Sequence, residues 1–204
     1  MTAITGTNGN DTLTGTDLVD TIFGLAGDDS LYGLSSSDRI YSGDGRDRAY
    51  GANGNDYVHG QSGDDSLFGG SGRDTLSGDT GNDFLDLGVG SGNERAFGGL
   101  GNDTLIAAGS VTNYPIILGG DGNDRLYGGF RLYGASGNDV AYGGTSGNFI
   151  SGGIGDDKLF GGFGNDNLNG GGGLDTLDGG EGTDRGLPLA FRRDARSDLH
   201  GRER

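Results

Sequence analysis

The chain has little of what many protein sites are built from. It contains no cysteine, which excludes disulfide bonds and thiolate metal sites. Its two histidines, His59 and His200, are too few for a histidine-rich zinc site or a confident Ser-His-Asp arrangement. No apolar run approaches the roughly 18 residues that cross a bilayer. The chain has only 14 basic residues against 30 acidic ones, and the net charge of -16 argues against nucleic acid as a partner.

Glycine, in contrast, is abundant, and it recurs in a pattern. With 49 glycines in 204 residues and 31% hydrophobic residues, the composition alone would suggest disorder. A nine-residue period overrules that interpretation. Residues 152–169 repeat one phrase twice, G-G-x-G-x-D-x-U-x, in which U is apolar. One such unit has too little apolar surface to be stable alone, so the repeats are expected to stack.

The sixth place of the repeat carries the acidic residue. Aspartate recurs there every nine residues from Asp11 to Asp83. Two residues are then inserted around 87–88, Glu94 replaces aspartate, and the count resumes at Asp103. A swollen loop over 107–115 puts Pro115 at the sixth place, and a shortened turn after Asp124 puts Phe130 there. Regular copies return at Asp139, Asn148, Asp157, Asp166, Asp175 and Asp184.

The spacing has a physical reason. Glycines at the first, second and fourth places are expected to take positive φ, turn the chain tightly and expose carbonyl oxygens. The aspartate adds a carboxylate oxygen, and calcium takes six to eight oxygen ligands of these two kinds. Stacked aspartates without a cation would repel one another. The pattern therefore predicts calcium-dependent folding.

With these repeats the sequence resembles the RTX family, the hemolysin-type calcium-binding repeats of secreted bacterial proteins. The resemblance covers residues 6–185. It implies an all-β fold, a parallel β-roll (right-handed β-solenoid) of about ten two-strand coils with calcium in the turns, stacked at roughly 4.8 Å. We expect the roll to occupy residues 1–186, and residues 187–204 to form an arginine-rich C-terminal tail or cap.

The eighth place should form a thin apolar core, one residue thick. This column is predicted to run through Leu13, Ile22, Leu31, Ile40, Ala49, Val58, Leu67, Leu76, Leu85, Ala96, Leu105, Ile117, Leu126, Leu132, Ala141, Ile150, Leu159, Leu168 and Leu177.

Successive repeats should lie on opposite edges, so a period of eighteen separates two rows of sites. The odd repeats all keep aspartate with glycine two places earlier, which predicts a continuous calcium ladder through Asp11, Asp29, Asp47, Asp65, Asp83, Asp103, Asp124, Asp139, Asp157 and Asp175. The even repeats contain the irregular copies, including Leu18 and Ser36 at the fourth place. Their best predicted sites are at Asp56, Asp74, Asp166 and Asp184. Alternatively, the irregular segments shift the phase, and the two edges are equally good.

Ninth-place residues of the odd repeats predict an aromatic stripe on one sheet. It comprises Tyr32, Tyr50, Phe68, Tyr127, Tyr142 and Phe160, interrupted by Asp86 and Ile106. Cross-strand stacking is the structural interpretation. The functional one is a surface for a sugar or another partner, and Arg48, Arg125 and Lys158 on the same sheet make an acidic glycan conceivable.

Three functions remain as hypotheses. The first is a secreted calcium-binding module that folds outside the cell, with a structural, adhesive or secretion-assisting role. The second is a polysaccharide-binding module of an alginate-epimerase-like or other secreted enzyme. The third is ice binding, suggested by frequent fifth-place asparagine but disfavoured because no threonine row exists. Regular aspartates at calcium spacing disfavour catalysis, so we expect no enzymatic activity.

The two ends of the sequence bear on localisation. Residues 1–5 are too short and uncharged for a signal peptide. The resemblance implies an extracellular protein, and we expect bacterial type I export without a recognisable signal. The arginine-rich end, with Arg192, Arg193 and Arg196, differs from the secretion signal usual in the family.

Overall fold

A computed structural model describes residues 2–90, 92–107 and 114–187 as a parallel β-solenoid. Two sheets, of eleven and ten strands, face each other across the core, and each strand pairs in parallel with the strand two further along the chain. The predicted arginine-rich tail lies outside the described residues. No helix in the described ranges is long and apolar enough to span a membrane.

The odd-numbered strands form the eleven-stranded sheet. They are β1 Thr2–Thr5, β3 Asp20–Ala26, β5 Arg39–Asp44, β7 Tyr57–Ser62, β9 Thr75–Thr80, β11 Arg95–Leu100, β13 Ile116–Asp121, β15 Arg131–Ser136, β17 Phe149–Ile154, β19 Asn167–Gly172 and β21 Arg185–Leu187. The even-numbered strands form the ten-stranded sheet. They are β2 Thr12–Thr14, β4 Ser30–Ser35, β6 Arg48–Asn53, β8 Ser66–Ser71, β10 Phe84–Gly88, β12 Thr104–Ala107, β14 Arg125–Gly128, β16 Val140–Tyr142, β18 Lys158–Phe163 and β20 Thr176–Glu181.

The predicted apolar column is confirmed as the core. Its members from Ile22 to Leu168 are buried, and Leu13 and Leu177 pack against them at the two ends. Two further residues, Leu87 and Ala107, also belong to the core although they lie outside the eighth place. The core remains thin, because most coils contribute only their two inward side chains.

Most strands are longer than the three residues that the repeat predicts. They continue through the first three places of the next repeat, so that Leu25 pairs with Gly43 and Ala26 with Asp44. Backbone hydrogen bonding extends further still, since the fourth-place Gly27 N–H donates to the Asp44 carbonyl at 2.8 Å. The turn is therefore shorter than expected, which brings the sixth-place side chain close to the backbone of the neighbouring coils.

Both irregular segments belong to the eleven-stranded sheet. Strand β13, after the swollen loop, pairs with β11 and with β15, and β15 follows the shortened turn. The assignment of these segments to the even repeats is thus confirmed, and the phase-shift alternative is wrong. Gly88 pairs in register with Gly70, so the two extra residues fall after Gly88.

In many repeats the second place has a left-handed backbone even where glycine does not occupy it. Leu25, Leu34, Ala52, Gln61, Asp79 and Ala135 lie there with φ between 75° and 89°. An L-residue in this region costs about 1–2 kcal/mol. These positions therefore keep strain that glycine would remove.

We expect Ala52→Gly, at φ 77°, to stabilise the folded roll by up to about 1 kcal/mol, since relief of left-handed strain exceeds the added chain entropy. Ala26→Gly is the matched control. It removes the same methyl group from a strand position without positive φ and should destabilise by about 0.5–1 kcal/mol. Urea unfolding at fixed calcium measures both, and a loss of stability in Ala52→Gly would contradict the strain argument.

Candidate calcium sites in the turns

Each sixth-place aspartate is oriented by the backbone of the preceding coil on the same edge. The Asp47 N–H donates to Asp65 Oδ1 at 2.8 Å, and the Asp65 N–H donates to Asp83 Oδ1 at 2.8 Å. Every interior aspartate of such a row therefore donates through its backbone to one neighbour and accepts through Oδ1 from the other. This arrangement fixes the carboxylate in the turn.

The odd edge carries this hydrogen-bonded row without a break. It runs from Asp11 to Asp175 and includes the steps across both irregular segments, where the Asp103 N–H donates to Asp124 Oδ1 and the Asp124 N–H donates to Asp139 Oδ1. All ten odd aspartates predicted from the sequence thus lie in one column.

The even edge has two separate rows. The first joins Asp20, Asp38, Asp56 and Asp74, and the second joins Asn148, Asp166 and Asp184. Between them, the Glu94 N–H donates to the Gly92 carbonyl and the Phe130 N–H donates to the Pro115 carbonyl. The predicted difference between the two edges is therefore present in the hydrogen bonding.

The second carboxylate oxygen, Oδ2, is the candidate metal ligand. Along both edges it is buried and accepts no hydrogen bond, as found at Asp29, Asp38, Asp47, Asp56, Asp65, Asp74, Asp83, Asp103, Asp124, Asp139, Asp157, Asp166 and Asp184. A buried anionic oxygen without a partner is costly. A repeated row of such oxygens indicates that a cation completes them.

Backbone carbonyls surround the same space. A Cβ atom built on Gly69 would lie 2.6 Å from Asp74 Oδ2 and 2.9 Å from the Leu87 carbonyl oxygen. One built on Gly33 would lie 2.7 Å from Asp38 Oδ2 and 2.8 Å from the Gly51 carbonyl oxygen. These first-place glycines do not have positive φ. The expectation that they serve the turn geometry is wrong; they keep space open between carboxylate and carbonyl.

The donor set fits calcium. It consists of one carboxylate oxygen together with carbonyl oxygens of adjacent coils, the hard ligands that calcium prefers. Within the described ranges, no three or more His, Cys, Asp or Glu side chains converge as a metal cluster. The backbone must therefore supply most of the ligands, which explains the dependence on glycine.

Burial raises the pKa of the stacked carboxyl groups. It raises that of Asp65 to about 8, and those of Asp56 and Asp124 to about 7, with neighbouring aspartates adding a smaller repulsive contribution. Hydrogen bonds from the backbone partly oppose the increase. Without a cation, the folded roll thus holds protons that the unfolded chain would release at neutral pH.

Two turns near the N-terminal end are closed by threonine. Thr7 donates from its N–H and hydroxyl to Asp11 Oδ2 at 2.6 and 2.9 Å. Thr16 does the same for Asp20 Oδ2 at 2.6 and 2.8 Å, and its hydroxyl lowers the pKa of Asp20. The second-place threonine thus supplies hydrogen bonds to the oxygen that elsewhere has none.

Other chemistry fills the interrupted part of the even edge. Leu87 and Ala107 occupy first places, where glycine normally leaves the space open, and both are buried. At Asn148, the side-chain amide donates to the Gly129 carbonyl at 2.6 Å and accepts from the Gly144 N–H at 3.1 Å. Apolar packing and a neutral amide thus replace the carboxylate site along this stretch.

Sequence reasoning missed three positions. Asp38 was left out because Ser36 replaces the fourth-place glycine, yet Ser36 adopts φ 80° and Asp38 Oδ2 is oriented like the others. Both carboxylate oxygens of Glu94 are buried without a hydrogen bond, and burial raises its pKa to about 7. Ser42 occupies a first place on the odd edge, beside Asp47, with a buried hydroxyl that has no partner. The identity of the first-place residue was the available signal at Ser42, as it was at Leu87 and Ala107.

The fold and these turns define a class of protein: a parallel β-solenoid whose stacked turns hold carboxylate and carbonyl oxygens for cations. The model of the RTX calcium-binding nonapeptide repeat matches residues 3–17, 14–49, 50–85, 89–110, 116–130, 133–168 and 151–185. The chain therefore belongs to the RTX calcium-binding repeat family, and its roll is a module that binds multiple calcium ions. A search of curated proteins found no match.

Gly60→Ala should weaken one calcium site, because the new Cβ would collide with Asp65 Oδ2 and lie 2.9 Å from the Gly78 carbonyl oxygen. We expect one fewer tightly bound calcium by isothermal titration calorimetry, with the net charge unchanged. Gly172→Ala is the control, since a Cβ there meets nothing within 4 Å. Equal calcium binding by the two variants would contradict the assigned geometry.

Acid should stabilise the calcium-free roll. The folded pKa values of about 7 for Asp83 and about 8 for Asp65 exceed that of an unfolded aspartate, so the folded state binds more protons. Their contribution to the free energy of unfolding is complete below about pH 4 and is lost as the pH rises to about 8. Between pH 6 and pH 8 these groups are deprotonated both in the unfolded chain and in the calcium-loaded roll, so the calcium concentration at the folding midpoint should change little. Circular dichroism at each pH, with chelator and with calcium, measures both quantities, and a folded fraction in chelator that rises with pH would contradict the prediction.

Proposed function

We propose that this chain is a secreted structural module in which calcium binding drives folding of the roll. The proposed ligands are the fourteen aspartates predicted from the sequence together with Asp38. The observation that carries the proposal is the repeated buried Oδ2 without a hydrogen bond, facing a carbonyl of the next coil. Among these aspartates, Asp11 depends least on calcium, because Thr7 already donates hydrogen bonds to its Oδ2.

Electrostatic repulsion explains why the roll should unfold without calcium and fold with it. The chain carries a net charge of -16, and its aspartates stack coil upon coil along the edges. Where calcium is scarce, repulsion and desolvation oppose this stacking. Where calcium is plentiful, the free energy of calcium binding stabilises the folded state. A chain exported unfolded would thus coil after release, in keeping with the secreted proteins in which such repeats typically occur.

Export by a type I route and an adhesive or secretion-assisting role are finer parts of the same proposal. They are supported by the secreted proteins in which the family's repeats typically occur. They are also supported by the role of most described residues, which form the coils and the turns. A roll held together by its sites is a scaffold, so we assign it no catalytic step. Any chemistry would then be performed by another domain.

Polysaccharide binding on the ten-stranded sheet remains a weaker hypothesis. The predicted stripe forms two stacks, Tyr32–Tyr50–Phe68 and Tyr127–Tyr142–Phe160, with ring centroids 4.7–5.3 Å apart and nearly parallel planes. The rings therefore cover each other's faces, which favours the cross-strand interpretation. Arg48, Arg125 and Lys158 lie exposed beside them and support the hypothesis of an acidic glycan.

Ice binding is also a weaker hypothesis. Fifth-place asparagines form a ladder in which Asn102 Oδ1 accepts from the Asn123 N–H at 2.8 Å, and Asn123 Oδ1 accepts from the Asn138 N–H at 2.8 Å. These amides link coil to coil. Their recurrence along the odd edge thus has a structural reason.

A calcium titration followed by far-UV circular dichroism tests the proposed switch. We expect a cooperative gain of β signal with calcium and little gain with magnesium, whose strict octahedral preference suits these sites poorly. Asp65→Asn should raise the calcium midpoint, because it removes a negative charge and an anionic ligand from the middle of the odd row. Asp11→Asn should shift it less. A chain already folded in chelator at pH 8 would overturn the proposal.

A further inference from the structure

The interrupted part of the even edge carries exposed positive charge on the outer face of the eleven-stranded sheet. Arg95, Ile116 and Arg131 occupy the seventh places of β11, β13 and β15, and the register aligns them across three neighbouring strands. Both arginines are exposed. Since adjacent strands lie about 4.8 Å apart, the arginine backbones are about 10 Å apart. Two guanidinium groups thus flank one aliphatic side chain.

Two aromatic rings adjoin these arginines. Tyr114 precedes the sixth-place Pro115, and Phe130 occupies the next sixth place on the same edge. Their ring centroids are 4.7 Å apart in an edge-to-face arrangement, with an interplanar angle of 82°. The Arg131 Cζ atom lies 5.9 Å from the centre of the Phe130 ring, which orients its guanidinium.

These side chains line a cavity. It measures about 230 Å³ and is lined by Asn93, Arg95, Tyr114, Ile116, Phe130 and Arg131. A neighbouring cavity of about 410 Å³ shares Asn93 and adds Arg73. The first cavity has room for about one six-membered ring. The second is a more open groove that extends toward a third arginine, Arg73.

No carboxylate neutralises the arginines of this cavity in the part of the chain that the structure describes. The only close contact between a basic and an acidic side chain found there joins His59 Nδ1 to Asp79 Oδ2 at 3.0 Å. Glu94, adjacent to Arg95 in sequence, is fully buried. The sixth-place residues that would be acidic in regular repeats are Pro115 and Phe130. In a chain of net charge -16, this is a local reversal of sign.

We propose that this cavity, the Arg95–Arg131 pocket, binds a carboxylate carried on a six-membered ring. The guanidinium groups match a carboxylate in geometry and charge. Tyr114 and Phe130 provide apolar surface for the ring, while the Asn93 amide and the Tyr114 hydroxyl supply hydrogen bonds to ring substituents. A uronic-acid sugar and an aromatic acid are the two sources of this chemistry. The proposal requires a folded roll but not a particular set of calcium ligands.

The test is calorimetric titration of the full chain in excess calcium with trigalacturonate and with 4-hydroxybenzoate. Galactotriose is the neutral control for the sugar. We expect one equivalent of at least one carboxylate probe to bind and galactotriose not to bind. Tighter binding of trigalacturonate assigns a uronic acid, and tighter binding of 4-hydroxybenzoate assigns an aromatic acid.

The decisive variant is Arg95→Gln with Arg131→Gln, which should weaken the bound probe at least tenfold. Arg39→Gln with Arg185→Gln is the matched control, because it removes the same charge from exposed seventh places on β5 and β21, away from the pocket; its affinity should stay within twofold. Tyr114→Ser is a second variant in the pocket, and circular dichroism checks that each variant is folded. Failure of both carboxylates to bind, equal losses in the two arginine pairs, or equal binding of galactotriose would overturn the proposal.

Discussion

The structure depends on the different roles of the two carboxylate oxygens of each sixth-place aspartate. Oδ1 accepts a backbone N–H from the preceding coil, which places the side chain in the turn as part of the fold. Oδ2 is buried without a hydrogen bond and faces the carbonyl of the next coil. Fold and metal site are therefore not separable. The hydrogen bond that stacks the coils also presents the oxygen that opposes stacking until a cation arrives.

Where the carboxylate is absent or already satisfied, different groups keep the coils together. Threonine donates to Asp11 and Asp20, Leu87 and Ala107 fill spaces beside the core, and Asn148 makes its own amide hydrogen bonds. These substitutions occur mainly on the even edge, whereas the odd edge stays regular across the same coils. One edge can thus vary because the other maintains the stacking, and the Arg95–Arg131 pocket lies where that variation is greatest.

Much of this arrangement could be predicted from the sequence because the nine-residue period is strict. The period located the core column, the two sheets and the odd row of aspartates, and the eighteen-residue reading placed both irregular segments correctly. Three features could not be read from it. The space kept by first-place glycine depends on a neighbouring coil, the site at Asp38 depends on Ser36 tolerating a left-handed backbone, and the pocket depends on Tyr114 and Phe130 meeting between successive coils. Each arises from contacts between coils.

The unequal edges have a mechanical consequence. Withdrawing cations leaves mutual repulsion along the whole odd edge but only along the two ends of the even edge, which is joined in its middle by Leu87, Ala107 and Asn148. The coils would therefore separate more along the odd edge than along the even edge. Loss of cations should therefore curve the rod, with the even edge on the inside of the curve.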